Sequence, residues 1–456
     1  MIQLGLTDIA ACLGIHPPEQ NVIFTGISHD TRTLLPGNLF IAIKGERRDG
    51  HDLIIEAANR GAAAALISHP VSLPLLPCLQ VPDTIQALGD IVAFWRQSFS
   101  LPVAAVTGSN GKTTVKNMLA SIFRAATLPD TEAVLATSGN LNNTIGLPLT
   151  LAGLGPEHRY AVVEMGMNQF GEIARLSAIA RPTLAVITNA ASSHLSGVGG
   201  NIAGVAKAKG EIFTGLAANG TAILNADDPY YDYWRQLVGA AANLSFGLEK
   251  TADVTATYTG RPALECRTPN GILPLEIPLP GRHNVMNALA ATAAALAAGI
   301  SPTAIQQGIA TVQSAKGRME QHFLPNGVRL IDDTYNANPF SLRAAVAILA
   351  TCPGEKILIL GDMRELGPEE VALHTEAGKH IASTHIDRLI TYGTLTEHTS
   401  RAFGKEAKHF SSHAELLFAL RPLLKKGVTV LIKGSRSMEM DKIVTALLSA
   451  HSHSPT

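Results

Sequence analysis

The sequence predicts an α/β protein in three parts, and three observations predict it. The chain has 456 residues, more than one ordinary core accommodates, and at about 150 residues per domain it divides into roughly three. The stretch Val103 to Thr114, VAAVTGSNGKTT, is an apolar strand running through a glycine-punctuated turn into a helix that begins near Lys112. Beyond about residue 315, four apolar strands alternate with helices, the pattern of a parallel sheet covered on both faces. The expected parts are a small α/β domain at residues 1–82, a central parallel-sheet domain at 83–314 and a doubly wound domain at 315–456, each with its own apolar interior.

Composition bounds the function. A chain 46% hydrophobic and 16% charged is globular, and a net charge of -1 supplies no overall field toward nucleic acid or an anionic membrane. Affinity for an anionic ligand must therefore come from local sites. Cys12, Cys78, Cys266 and Cys352 have no paired spacing, which predicts free thiols in a reducing cytoplasm rather than a zinc site or disulfides. The start of the chain lacks the pattern of a signal peptide. The most apolar helix candidate, Ala288 to Ile300, is too short for a membrane span.

In the first part, LFIAI (Leu39 to Ile43) reads as a buried strand and Ile54 to Ala65 as a helix. The loop between them brings Lys44, Arg47, Arg48 and His51 to a strand end, where α/β sheets bind ligands; a solvated basic loop is the competing reading. Pro70 to Pro82 reads as a linker into a helix, Thr84 to Phe99.

The second part carries the phosphate chemistry. A helix start offers unpaired N–H groups to an anion, Gly108 and Gly111 allow close backbone approach, and Lys112 adds a charge. Val106 stands where the widespread P-loop has a further glycine, so this is a variant P-loop, and Thr113 and Thr114 can offer a hydroxyl to Mg²⁺. Thr137 to Leu147, TSGNLNNTIGL, is rich in uncharged hydrogen-bonding side chains that suit sugar hydroxyls or amides, or a turn-rich connection. The strand Ala161 to Val163 ends in Glu164, placed to hold Mg²⁺. A further strand, Leu184 to Thr188, puts Asn189 and His194 on the same rim. VAKAKGEIF opens a helix with Lys207 and Lys209 near its start, where cations gain nothing, so at least one faces an anion. A lysine of depressed pKa can take up CO₂, and the carbamate is a carboxylate-like ligand for a second Mg²⁺. GRHNVMNALAA leads Asn284 and Asn287, on one face, into an alanine-rich helix stopped at Gly299.

In the third part the strands Val328 to Asp332, Lys356 to Gly361, Arg388 to Gly393 and Val428 to Gly434 end in polar loops, DDTYNANPFS, GDMRELG, YG and KGSRSM. Such ends bind ligands in a Rossmann-like sheet. Asn338 and Pro339 read as the cap and first residue of a helix running from Phe340 to Leu349.

TGSNGKTT, Glu164, His194, AKAKGEIF, GRHNVMNALAA, KGRME and DDTYNANPFS, in that order, resemble the Mur ligases of bacterial peptidoglycan synthesis over nearly the whole chain. HDTR, KGERRDGH and GDMRELG look like the branch that adds the last residues of the stem peptide. The resemblance implies a cytoplasmic, monomeric, ATP-dependent amide ligase working through an acyl phosphate, with UDP-N-acetylmuramoyl-tripeptide and D-alanyl-D-alanine as substrates.

Its first domain would hold the UDP-substrate through Ser28, Asp30, Arg32, Lys44, Asp49 and His51, aided by Asn140, Asn142, Asn143 and Thr144. Its second would hold ATP phosphates at Gly108, Ser109, Asn110, Gly111, Lys112, Thr113 and Thr114, and adenine at Asn287. The resemblance implies two Mg²⁺ ions at Thr113, Glu164, His194 and a carbamylated Lys209, with a base as the other role open to His194. Arg318 matches a γ-phosphate contact and Asp333 the ribose contact, while Tyr335, Asn336 and Asn338 would hold the dipeptide. Arg318 and Asp333 lie beyond the second boundary yet must reach ATP, which predicts domain closure. A folylpolyglutamate synthase-like ligase and a non-catalytic UDP-sugar-binding P-loop regulator are the alternatives.

Overall fold

The computed structural model describes residues 1–452 apart from 47, 72–75, 193–194 and 261, so Arg47 and His194 lie outside the described residues. Its sheets fall into three groups along the chain. A four-stranded parallel sheet (Ile27–Ser28, Leu39–Ile41, Ala64–Ile67, Cys78–Gln80) and a two-stranded antiparallel ribbon (Gln3–Gly5 with Ile23–Thr25) form the first.

The second is a nine-stranded sheet in the order Gly271–Glu276, Ala263–Thr268, Val254–Ala256, Ala242–Gly247, Thr221–Asn225, Leu184–Ile187, Val103–Thr107, Tyr160–Glu164, Val134–Ala136. Its pairs are parallel except the two that join the first three strands of that order. The phosphate-loop strand Val103–Thr107 therefore lies between Leu184–Ile187 and Tyr160–Glu164, so three strand ends meet at one rim. The third sheet runs Glu320–Phe323, Arg329–Asp333, Thr429–Lys433, Lys356–Gly361, Arg388–Tyr392, Ala407–Phe410, parallel after its antiparallel first pair.

Alternation of side chains across the strands decides how the parts pack. In the first sheet Phe40, Ala65 and Ile67 build a small local core, while Leu39, Ile41, Ala64 and Leu66 join a larger core that includes Leu88, Val103, Leu147 and Leu176. The first part therefore does not own its whole interior, contrary to expectation; helix Thr84–Arg96 welds it to the second. The third sheet keeps both faces to itself, with Ile331, Leu358 and Leu431 on one and Leu330, Ile357 and Val430 on the other.

Several elements differ from the sequence reading. The helix expected from Ile54 to Ala65 is Ile54–Asn59, because Gly61 takes a left-handed φ of 86° and Ala64–Ile67 is a strand. The expected linker contains the strand Cys78–Gln80. The helix carrying Lys207 and Lys209 is Ile202–Gly210, so both lysines sit in its last turn, where the helix dipole favours cations.

Candidate functional site

At the rim, the loop helix Lys112–Ala126 starts from Gly111 with φ at 85°, and a Cβ there would lie 2.3 Å from Asn287 Oδ1. At Gly108 a Cβ would lie 1.7 Å from Thr188 Oγ1. Both glycines are thus required by close neighbours as well as by conformation. Ser109 N–H donates to the Asn189 carbonyl (2.9 Å) and Asn110 N–H to Asn189 Oδ1 (3.1 Å), which fastens the loop to the next strand end. Lys112 Nζ donates to the loop's own Gly108 carbonyl at 2.6 Å.

Glu164 is 2% exposed, and its two oxygens are divided between neutral donors: Thr113 Oγ1 at 2.8 Å and Asn142 Nδ2 at 2.8 Å. A hydroxyl and a buried carboxylate beside a phosphate loop form an oxygen donor set that suits a small hard cation such as Mg²⁺. Lys209 is 2% exposed, and burial, helped by the charge of Lys112 and opposed by Asp228, holds its pKa well below the ordinary lysine range. Burial also lowers the pKa of Lys112, with Glu164 raising it and Arg318 lowering it. Asp228 takes the N–H groups of Ala190 (2.8 Å) and Tyr230 (2.9 Å), tying the strand ends together; burial raises its pKa.

The third part closes over this rim. Arg318 stacks its guanidinium 4.0 Å from the Tyr335 ring centre. Asp333 is held by Lys433 Nζ at 2.6 Å, which also donates to the Asn336 carbonyl at 2.9 Å. His283, at the start of the alanine-rich helix Arg282–Ala297, has its pKa lowered by burial, with Asp333 raising it and Lys433 lowering it. Asn338 caps helix Pro339–Thr351 through Oδ1 and donates through Nδ2 to Asn110 Oδ1 at 2.8 Å. Between the second and third parts lies a cavity of about 1600 Å³.

That cavity gathers most of the sequence-predicted residues: Ser109, Asn110, Gly111, Lys112, Thr114, Asn140, Asn142, Asn143, Thr144, Glu164, Lys209, Asn287, Arg318, Asp333, Tyr335, Asn336 and Asn338 all line it. Gly108 and Thr113 support it from the loop beneath. Ser28, Asp30, Arg32, Lys44, Asp49 and His51 do not line it. Among these, Asp30 pairs with Arg32 at 2.6 Å, chiefly through that hydrogen bond, which lowers its pKa to about 2. The His51 ring is buried and takes Ser68 N–H on Nε2 (2.9 Å) while Nδ1 meets Asp49 at 2.6 Å, so both ring nitrogens serve the loop itself.

Sequence reasoning passed over Thr188, Asp228, His283 and Lys433, all of which line the cavity. For Asp228 the signal was there in NADDP after the apolar run TAILN, a strand the sequence reading did not mark.

Three family descriptions match successive stretches of the chain: Mur ligase family, catalytic domain at residues 23–96; Mur ligase middle domain at 106–295; and Mur ligase, glutamate ligase domain at 317–436. The UDP-N-acetylmuramoyl-tripeptide–D-alanyl-D-alanine ligase of Escherichia coli K12 is 41% identical over 454 residues, covering 98% of this chain and 99% of its own. The protein of that name from Haemophilus influenzae is 39% identical, with the same coverage of each chain. Among solved structures, MurF from Acinetobacter baumannii superposes with a TM-score of 0.90 at 33% identity, covering 98% of this chain and 99% of its own.

Proposed function

This chain belongs to the Mur ligase family, and we propose that within it the protein joins D-alanyl-D-alanine to the terminal carboxylate of UDP-N-acetylmuramoyl-tripeptide at the expense of ATP. The observation that carries this reading is the single cavity shared by the phosphate loop of the second part and the DDTYNANPFS loop of the third. It gives a nucleotide and an amine acceptor one place to meet.

The chemistry explains the residues. A carboxylate is a poor electrophile, so its oxygen first attacks the γ-phosphorus of ATP, giving an acyl phosphate and ADP. The dipeptide amine then adds to the acyl carbon, loses a proton and expels phosphate. The first step brings two anions together, and Lys112 and Arg318 offset their charge while the loop from Gly108 to Thr114 fixes the phosphates in line. Asn287 takes the adenine and Asp333 the ribose, held in place by Lys433. Mg²⁺, when bound, would further neutralise the phosphate oxygens; Thr113, Glu164 and a carbamate on Lys209 would hold it, with His194 as metal ligand or as base for the amine.

The domain roles follow: residues 1–82 hold the UDP-muramoyl moiety, 83–314 the nucleotide and 315–456 the dipeptide. A nucleotide-linked substrate and ATP support a cytoplasmic reaction. Among the described residues no helix is long and apolar enough to cross a membrane. Phosphate release that requires both UDP-tripeptide and D-alanyl-D-alanine tests the proposal. Release driven by a folate in place of the UDP-tripeptide would replace it with the folylpolyglutamate reading.

A further inference from the structure

Asn110 occupies an unusual position in the phosphate loop. Its peptide groups are fully committed: N–H donates to Asn189 Oδ1 at 3.1 Å, and C=O accepts from Thr188 Oγ1 at 2.6 Å and Asn189 Nδ2 at 3.1 Å. Only the side chain has freedom. Its Oδ1 accepts the bond from Asn338, which lies 228 residues further along the chain. Its Nδ2 is buried and has no hydrogen-bond partner among the described residues. A buried amide N–H left unpaired is costly, and here it sits in the phosphate loop, where the Ser109 and Asn110 peptide N–H groups are already taken by Asn189.

Asn338 is equally constrained. Its Oδ1 accepts from Ser341 N–H at 2.8 Å and its N–H donates to Ser341 Oγ at 3.1 Å, so its side chain is fixed to the start of helix Pro339–Thr351. Only Nδ2 reaches outward, and it reaches Asn110.

We propose that Asn110 and Asn338 form a latch through which a phosphate on the loop positions the loop that holds the amine substrate. An amide is planar, so the orientation of Asn110 that presents Nδ2 to a phosphoryl oxygen also presents Oδ1 to Asn338. One side-chain torsion therefore serves both bonds, and each bond favours the other. Nucleotide and acceptor loop stabilise one another, and the linkage is reciprocal. Asn110 and Asn338 act as positioning residues across the domain boundary. The inference rests on the reading that ATP phosphates occupy this loop, and it adds a coupling which that reading does not require.

The test uses the full chain and a readout that needs no turnover. Hydrogen exchange of backbone amides 336–342 is measured with and without AMPPNP. In the wild type the nucleotide slows exchange about 3- to 10-fold, the scale of one buried amide hydrogen bond. In Asn110→Ala and in Asn338→Ser this nucleotide effect disappears. Serine is itself a good helix cap, so Asn338→Ser keeps the start of the helix and an unchanged melting temperature. In turnover assays each variant raises the KM for D-alanyl-D-alanine about 3- to 10-fold, and the double variant is no worse than either single one. Wild-type exchange indifferent to AMPPNP that the same protein binds, protection that survives in either variant, or strictly multiplicative KM effects would overturn the latch. Failure of phosphate release with UDP-tripeptide and dipeptide would instead count against the assigned reaction, and nucleotide-dependent protection would still be readable.

Discussion

Lys209 shows how one residue's surroundings set its chemistry. A lysine 2% exposed beside a second lysine is held toward its neutral form, and only a neutral amine adds to CO₂. Lys209→Ala should therefore abolish ligation, with partial recovery on adding a small carboxylate; full activity in the untreated variant would dismiss the carbamate. His374 makes a different use of neutrality. It is fully buried, with Nε2 accepting Met363 N–H at 3.0 Å, so its proton must sit on Nδ1 facing the Glu370 carbonyl at 2.6 Å. Burial lowers its pKa from 6.5, while the Glu370 carbonyl, Asp362 and Glu370 raise it and His398 lowers it. The unfolded chain takes up this proton at about pH 6.5, before the folded one does. The contribution is thus complete above that pH and is lost as pH falls from about 6.5 toward the depressed folded value. Between pH 7 and 5 the wild type should lose more melting temperature than His374→Gln, and parallel curves would refute the assignment.

Helices were legible where a cap and an apolar period coincide. Asp83 opens Thr84–Arg96 by taking the N–H groups of Ile85 (2.8 Å) and Gln86 (2.9 Å), and Asn338 with Pro339 opens Pro339–Thr351 as expected. Because the first of these helices welds two parts of the molecule, Asp83→Ala should cost about 1 kcal/mol, read as a lower denaturant midpoint of the transition that includes the first part. Apolar parallel strands were equally legible, since burial on both faces writes a continuous hydrophobic run. The strands from Thr221–Asn225 to Gly271–Glu276 went unmarked in the sequence. Ala263–Thr268 and Gly271–Glu276 are antiparallel strands near the sheet edge whose exposed positions alternate with buried ones, so neither writes a continuous apolar run. Thr221–Asn225, by contrast, is a buried parallel strand whose run, TAILN, is only five residues long. Lys209 was placed at the wrong end of its helix for a related reason. The start at Asn201 is marked by a cap within a glycine-rich stretch, GVGGN, that reads as loop. The cavity's ingredients were nevertheless legible, because phosphate chemistry needs glycine, lysine and hydroxyl side chains at adjacent positions. Lys433 was not, because its meaning lies in a distant partner, Asp333, that only the folded chain supplies, whereas Asp228 carried a signal in its place just after the apolar run TAILN.

At the scale of the whole molecule, core ownership separates what can fold alone from what can move. The third part buries both faces of its sheet against its own helices, whereas one face of the first part's sheet is completed by the second. A fragment of residues 315–456 should therefore unfold cooperatively in urea on its own, and a fragment of residues 1–82 should not; a cooperative transition in the shorter piece would contradict the shared core. The same asymmetry locates the moving body. Between helix Pro302–Ala310 and strand Glu320–Phe323 the chain runs without regular structure, and the third part meets the phosphate loop through Asn338 rather than through a common apolar interior. Packed cores resist continuous deformation, so relative motion is concentrated in that connection. Under the proposed reaction, Arg318 and Asp333, which line the cavity, would withdraw for substrates and products to pass and return to the nucleotide for the chemistry. X-ray scattering should accordingly show a smaller radius of gyration with an ATP analogue and UDP-tripeptide than without ligands. Superimposable profiles would mean that the third part is docked permanently, and that ligands enter the cavity without opening it.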